Sequence, residues 1–292
     1  TPTVTFVVAS GAVWRCATDG VETTLEHVGP LSDVERAIRR FRFTFDLAVN
    51  GLRPGLDVED VHRSGDRLGA LLLGDSRTSG QPLNIRLNRY FTNVPWRLLN
   101  PSAPKHDWVN PGVPQRIDAA TMPPIERVTI IAGPGLGQPA LDETKALERI
   151  YPGARVLIGP EATVDRALRA FETSDLVHVI GHGQPHAVDP LLAQIDLHDG
   201  PIMAYELEAL RSSPAIVVLA ACDVAAAGPT GRPAAYGIPS VLLEAGTLAV
   251  LASPMWIDNQ ISSLVMPELH AALARGLTPV DALALLPNGQ AR

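Results

Sequence analysis

Two runs, Asp175-Leu-Val-His-Val-Ile-Gly-His-Gly183 and Ala215-Ile-Val-Val-Leu-Ala-Ala-Cys-Asp223, decide how this chain reads. Each is short, apolar and rich in β-branched residues, the pattern of a strand buried on both faces of a sheet. Each ends on a reactive side chain: His182 held between Gly181 and Gly183, and Cys222 followed by Asp223. In an open parallel sheet, ligands and chemistry collect at the carboxyl ends of the strands. The forty residues from His182 to Cys222 suit adjacent strands joined by a crossover carrying a polar loop and a short helix. The two strand ends thus offer an imidazole as base and a thiol as nucleophile.

The same rhythm extends outward from these runs. Val128–Ala132, Arg155–Ile158, Leu176–Ile180, Ala215–Ala220 and Leu248–Ala252 are five short apolar segments. Helical patterns at about 141–151, 164–171, 203–211 and 235–245 separate them. Alternation of this kind specifies βα units and a parallel sheet. Thr278-Pro279-Val280-Asp281 opens a last helix with a cap residue, a proline at the first position and an acid in the first turn.

Before residue 125 the pattern differs. Thr3–Ala9, Val13–Ala17 and Val21–Val28 read as a meander turned at Ser10-Gly11 and Asp19-Gly20, with Cys16 as a small buried hydrophobe inside it. Ser32 is positioned to cap a helix over 33–50 whose face carries Val34, Ile38, Phe41 and Phe45. A second helix covers Val58–Leu73, and Pro82–Leu87 is a strand. From Pro101 to Pro124 prolines are dense and periodicity is lost, which reads as an ordered connection because Gly/Ser runs are absent.

At 292 residues the chain makes one large domain or two small ones, and its 46% hydrophobic and 19% charged residues are ordinary for a globular protein. A net charge of −7 argues against nonspecific binding to nucleic acid or to an anionic membrane. Two cysteines, Cys16 and Cys222, make no disulfide framework, so a cytoplasmic location is expected. No apolar run approaches the roughly twenty residues that span a bilayer, and no signal peptide is visible. The chain opens on Thr1 rather than Met, which suggests a piece of something longer.

A thiolate that attacks a carbonyl needs an imidazole to take its proton and a pair of donors for the oxyanion. His182 suits the base because flanking glycines admit a substrate backbone. The backbone N–H groups of Gly183 and Cys222 are positioned to form the oxyanion hole. The alternative is that Cys222 is a buried thiol and His182 a satisfied strand-end histidine.

Residues 175–183 and 215–223, with Gly237–Gly246 and Ser253–Asp258, resemble the CHAT domain, a caspase-like and separase-like group of cysteine proteases. The matching features are His-Val-Ile-Gly-His-Gly, Val-Val-Leu-Ala-Ala-Cys, the helix ending Glu244-Ala245-Gly246, and the run into Met255-Trp256-Ile257-Asp258. Val94-Pro95-Trp96-Arg97-Leu98-Leu99 is similar to the family's Pro-aromatic motif, and Ala132-Gly133-Pro134 with the helix containing Glu143 also fits. The resemblance implies a single domain over 1–292: a β-ribbon and helical part over 1–124, and a catalytic caspase-like part over 125–292 with a mostly parallel central sheet flanked by helices. It further implies a cysteine endopeptidase with His182 as base and Cys222 as nucleophile, a protein or peptide substrate and no cofactor. Activation would come from a protein partner or a fused repeat or effector domain, in a larger signalling or defence protein. A catalytically silent interaction module is the alternative, and a nucleotide-binding α/β protein a more distant one. Caspases carry Gln-Ala-Cys where this chain has Ala220-Ala221-Cys222, so aspartate specificity does not carry over. Ala220 also replaces the serine common in the family, a change that leaves the dyad intact.

Three further patterns bear on the chemistry. His178, His182 and His186 are spaced for one face of a helix, but Gly181, Gly183 and Pro185 argue against a helix, so no metal site is expected. Gly133–Gly137 lies between a strand and a helix without the Lys-Ser/Thr of a phosphate loop, and reads as a plain turn. Asp189, Asp223 and Asp258, with Trp256, cluster where the wall of the substrate pocket is expected, which favours a guanidinium at P1. The resemblance points the same way, since several relatives of the clan favour basic P1 residues. The alternative is that these aspartates cap helices or face water. Arg232 is the only cation of 225–239 and Pro233 follows it, so activation is not expected to need cleavage there.

Overall fold

The computed structural model describes residues 2–49, 52–53, 55–74, 83–86, 90–91, 94–99, 106–109, 122–186, 189–222, 237–253, 255 and 258–286. The chain divides into two units, Thr1–Pro114 and Gln115–Arg292.

In the first unit, β1 (Thr3–Ala9), β2 (Ala12–Thr18) and β3 (Thr23–Pro30) form the antiparallel meander, Thr3 opposite Thr18 and Ala9 opposite Ala12. The helix that follows, α1 (Leu31–Val49), begins one residue before Ser32. The Leu31 N–H donates to the Gly11 carbonyl at 2.8 Å, so the chain's own turn replaces the expected side-chain cap. Next comes α2 (Val58–Leu73), capped reciprocally by Asp57 and Asp60. Strand β4 (Leu83–Arg86), the short helix α3 (Trp96–Leu99) and β5 (His106–Val109) complete the unit. Both strands run parallel to β1, in the order β3-β2-β1-β4-β5. The proline-dense segment read as a patternless connection therefore contributes a strand. Trp96 is buried, its ring centroid 5.6 Å from that of Phe6.

The second unit holds β6 (Val128–Ala132), α4 (Gly137–Ile150), β7 (Arg155–Ile158), α5 (Val164–Thr173), β8 (Leu176–Gly181), β9 (Gly183–Gln184), β10 (Gln194–Leu197), β11 (Gly200–Met203), α6 (Ala204–Glu208), β12 (Ile216–Ala221), α7 (Ile238–Glu244), β13 (Ala249–Ala252), α8 (Asn259–Ala274) and α9 (Pro279–Leu285). Five of the strands form one parallel sheet in the order β13-β12-β8-β6-β7. This is the expected α/β architecture, with helices on both faces of the sheet. Every residue of β6, β8 and β12 is buried, which explains why these strands read as continuous apolar runs rather than alternations.

Strand alternation sorts the sheet's side chains into two layers. Ile131, Val177, Val179, Val217, Leu219 and Ala221 pack with residues of α5, α6 and α7. Val128, Ile130, Leu176, Ile216 and Val218 pack with residues of α4, α8 and α9. Ala132, Ile180 and Ala220 continue that second layer toward the carboxyl ends, against Leu136 and Ala140.

In this second unit two features depart from the sequence reading. Residues 183–203, read as loop and short helix, include the antiparallel ribbon β9-β10-β11. Helix α8 was not foreseen, because Pro267 interrupts its pattern. Among the described residues no helix is long and apolar enough to cross a membrane.

Candidate active site

Strands β8 and β12 are parallel neighbours whose register pairs Gly181 with Ala221. One residue further along each strand stand His182 and Cys222. Hydrogen-bonded strands lie about 4.8 Å apart, so these two positions follow directly from neighbouring backbones. Alternation assigns them the face of Ile180 and Ala220, toward α4 and α8. His182 is exposed and Cys222 half-buried, and neither Cys222 nor Cys16 is in a disulfide.

His182 is held by its backbone. Its carbonyl accepts from the Asp196 N–H at 3.0 Å, tying the end of β8 to β10. The ribbon register pairs Gly183 with Ile195 and Gln184 with Gln194. In an antiparallel ladder, hydrogen-bonded and non-hydrogen-bonded pairs alternate. The Asp196-to-His182 bond makes Gly183 a non-hydrogen-bonded position, so its N–H points away from β10.

Three glycines let these elements meet. A Cβ on Gly181 would lie 2.5 Å from Ile195 Cγ2, and one on Gly133 would lie 2.5 Å from the Asp196 carbonyl oxygen. The missing side chain of Gly181 therefore makes room for the chain's own β10, not for the substrate backbone that the sequence suggested. Gly135 adopts φ +76° in the turn entering α4, and a Cβ there would lie 3.6 Å from His182 Nε2. The Gly133–Gly137 turn thus flanks the imidazole.

Two of the three acids expected around a substrate pocket, Asp258 and Asp189, have structural partners. Asp258 is the N-cap of α8: its Oδ1 accepts from the N–H groups of Gln260 at 2.7 Å and Ile261 at 3.2 Å. Asp189 Oδ1 accepts from the Leu191 N–H at 3.1 Å, and its own N–H donates to His186 Nδ1 at 3.0 Å. Asp223 and Trp256 lie outside the described residues, as does most of 225–239.

The three spaced histidines do not converge. His178 is fully buried in the middle of β8 with both ring nitrogens engaged, Nε2 with Glu143 and Nδ1 with His270. His182 lies at the strand end and His186 in the following loop. Among the described residues no group of three or more His, Cys, Asp or Glu side chains is arranged to hold a metal ion.

Sequence reasoning missed the ribbon that pins His182, although a signal was present. Gln194-Ile195-Asp196-Leu197 alternates polar and apolar, and the Asp-Gly pair at 199–200 marks a turn, which the structure centres on His198 and Asp199. It also missed Ser262 and His270, because both lie on α8.

A family model described as CHAT domain matches residues 62–285. No curated protein matches the chain.

Proposed function

The chain belongs to the CHAT domain family, and from that premise we propose that it is a cysteine endopeptidase with a His182/Cys222 dyad. Supporting the proposal is the register that pairs Gly181 with Ala221, after which His182 and Cys222 follow on the two strands. In the proposed reaction the imidazole of His182 takes the Cys222 proton, and the thiolate attacks the carbonyl carbon of a peptide bond. The N–H groups of Gly183 and Cys222 donate to the resulting oxyanion, an arrangement that stabilises charge where it develops. Collapse breaks the C–N bond, and the leaving amine takes the proton back from the imidazolium. A water molecule, deprotonated by His182, then attacks the thioester, which releases the acid and restores the thiol.

The proposed substrate is a protein or peptide, met in the cytoplasm and cleaved at a basal rate that a partner protein raises. A basic P1 side chain would meet Asp189, Asp223 and Asp258 beside Trp256. The first test measures carboxymethylation of Cys222 by iodoacetamide and hydrolysis of fluorescently labelled casein. Wild type is expected to react quickly at Cys222 and to cleave, with both activities unaffected by EDTA. Cys222→Ala and His182→Ala are expected to abolish cleavage while retaining cooperative unfolding. An inert Cys222 with no cleavage of casein or of a peptide library would favour a catalytically silent interaction module. Activity lost together with stoichiometric zinc would overturn the thiol mechanism.

A further inference from the structure

A chain of buried polar side chains crosses the core of the Gln115–Arg292 unit behind His182. His178 shares with His182 the face of β8 that meets α4 and α8. Its Nε2 lies 2.9 Å from Glu143 Oε1, and its Nδ1 lies 3.0 Å from His270 Nε2. Glu143 Oε2 accepts from the Ser262 hydroxyl at 2.9 Å. His270 Nδ1 lies 3.2 Å from the Tyr151 hydroxyl oxygen, and that hydroxyl donates to the His270 carbonyl at 3.1 Å. Glu143, His178, Ser262 and His270 are all buried, Glu143 with 1% of its surface exposed. Burial, reinforced by His178, holds the His270 pKa well below the ordinary imidazole value. An ionised carboxylate has only acceptor sites, so with Glu143 in that form the hydrogen shared with His178 would be carried on His178 Nε2.

Apolar side chains of similar volume would hold the same helices to the sheet at least as stably. What a satisfied polar network adds is a single geometry, because hydrogen bonds do not tolerate the sliding that apolar contacts allow. Two of the three elements joined here border the proposed dyad. β8 runs directly into His182, and α4 is entered through the turn that sets Gly135 beside His182 Nε2.

We propose that Glu143 is a positioning residue for the dyad: through His178 and Ser262 it fixes α4 and α8 against β8, and so holds the Gly133–Gly137 turn against the His182 imidazole. The proposal rests on the dyad reading given above.

Two measurements on the full chain test it. Long-range nitrogen–proton correlation NMR of wild type reads which ring nitrogen of His178 carries hydrogen; Nε2 is expected, and an unprotonated Nε2 overturns the proposal. The rate of carboxymethylation at Cys222 reads the positioning. Glu143→Leu fills the same space without an acceptor and is expected to slow alkylation about tenfold or more, whereas Glu143→Gln keeps an acceptor oxygen for His178 and turns its NH2 as donor to the Ser262 hydroxyl, and restores the rate to within about threefold. Should Glu143→Leu fail to fold, Ser262→Ala removes one of the two bonds and is expected to slow the reaction about threefold. A reactive wild-type Cys222 whose rate is unchanged in Glu143→Leu, or in Ser262→Ala, overturns the positioning role and leaves the dyad standing. An unreactive wild-type Cys222 overturns the dyad reading itself.

Discussion

Asp175, the first residue of the decisive stretch, illustrates what a single side chain contributes to this sheet. Its Oδ2 accepts from the N–H groups of Glu126 at 3.1 Å and Arg127 at 2.7 Å, and its Oδ1 accepts from the Arg127 guanidinium at 2.6 Å. These bonds reinforce the backbone bonds that Asp175 and Leu176 donate to the Arg127 carbonyl, at 2.8 and 3.2 Å, and tie the start of β8 to the lead-in of β6. The guanidinium of Arg127 is the largest cause, with the two backbone donors adding, that holds the carboxyl below its ordinary 3.8. A depressed folded-state pKa contributes stability that is present above the unfolded value and is lost as pH falls through the folded one. Asp175→Asn is therefore expected to cost about 1 kcal/mol at neutral pH. The gap should shrink as pH falls below 3.8. Urea unfolding of both proteins at neutral and acidic pH checks this, and a gap that stays constant across the range would contradict it. His182 and Cys222 belong to the same scale. That each ends an apolar run beside glycine or aspartate was legible in the sequence. Their shared face was not, because that depends on the pairing of β8 with β12.

At the scale of the element, α8, which the sequence did not reveal as a helix, carries two roles. It supplies Ser262 and His270 to the buried polar network, and its first turn is capped by an acid expected in the substrate pocket. The two possible roles of Asp258 can be separated, because Asn caps a helix about as well as Asp while Ala does not. Asp258→Ala is expected to lose about 1 kcal/mol and Asp258→Asn almost nothing. If Asp258 also reads a basic P1 side chain, Asp258→Asn keeps the stability yet loses the preference for arginine over glutamine in a positional-scanning peptide library. An unchanged preference in Asp258→Asn would confine the residue to capping. The ribbon β9-β10-β11 is the other unforeseen element. Its short, half-polar strands carry less apolar signal than the sheet strands, yet β10 supplies the N–H that holds the His182 carbonyl.

For the whole molecule, the chain is expected to act as one polypeptide. Intact mass spectrometry of protein carboxymethylated at Cys222 during turnover checks this, and an active form split between Asp223 and Ser240 would contradict it. The sequence by itself determined the βα alternation of the Gln115–Arg292 unit, since local periodicity distinguishes a twice-buried strand from an amphipathic helix. It also determined that an imidazole and a thiol end two of those strands. Only the tertiary structure decided the strand order β13-β12-β8-β6-β7, the common face of His182 and Cys222, and the use of Gly181 and Gly133 as seats for β10. The link between Glu143, His178 and Ser262 was decided there too, across separations of 35 and 119 residues. The physical reason is range. Backbone preference and side-chain period act over a few neighbouring residues. Strand partners, the close approach of one backbone to another and the partners of buried polar groups are settled by packing between segments far apart in the chain.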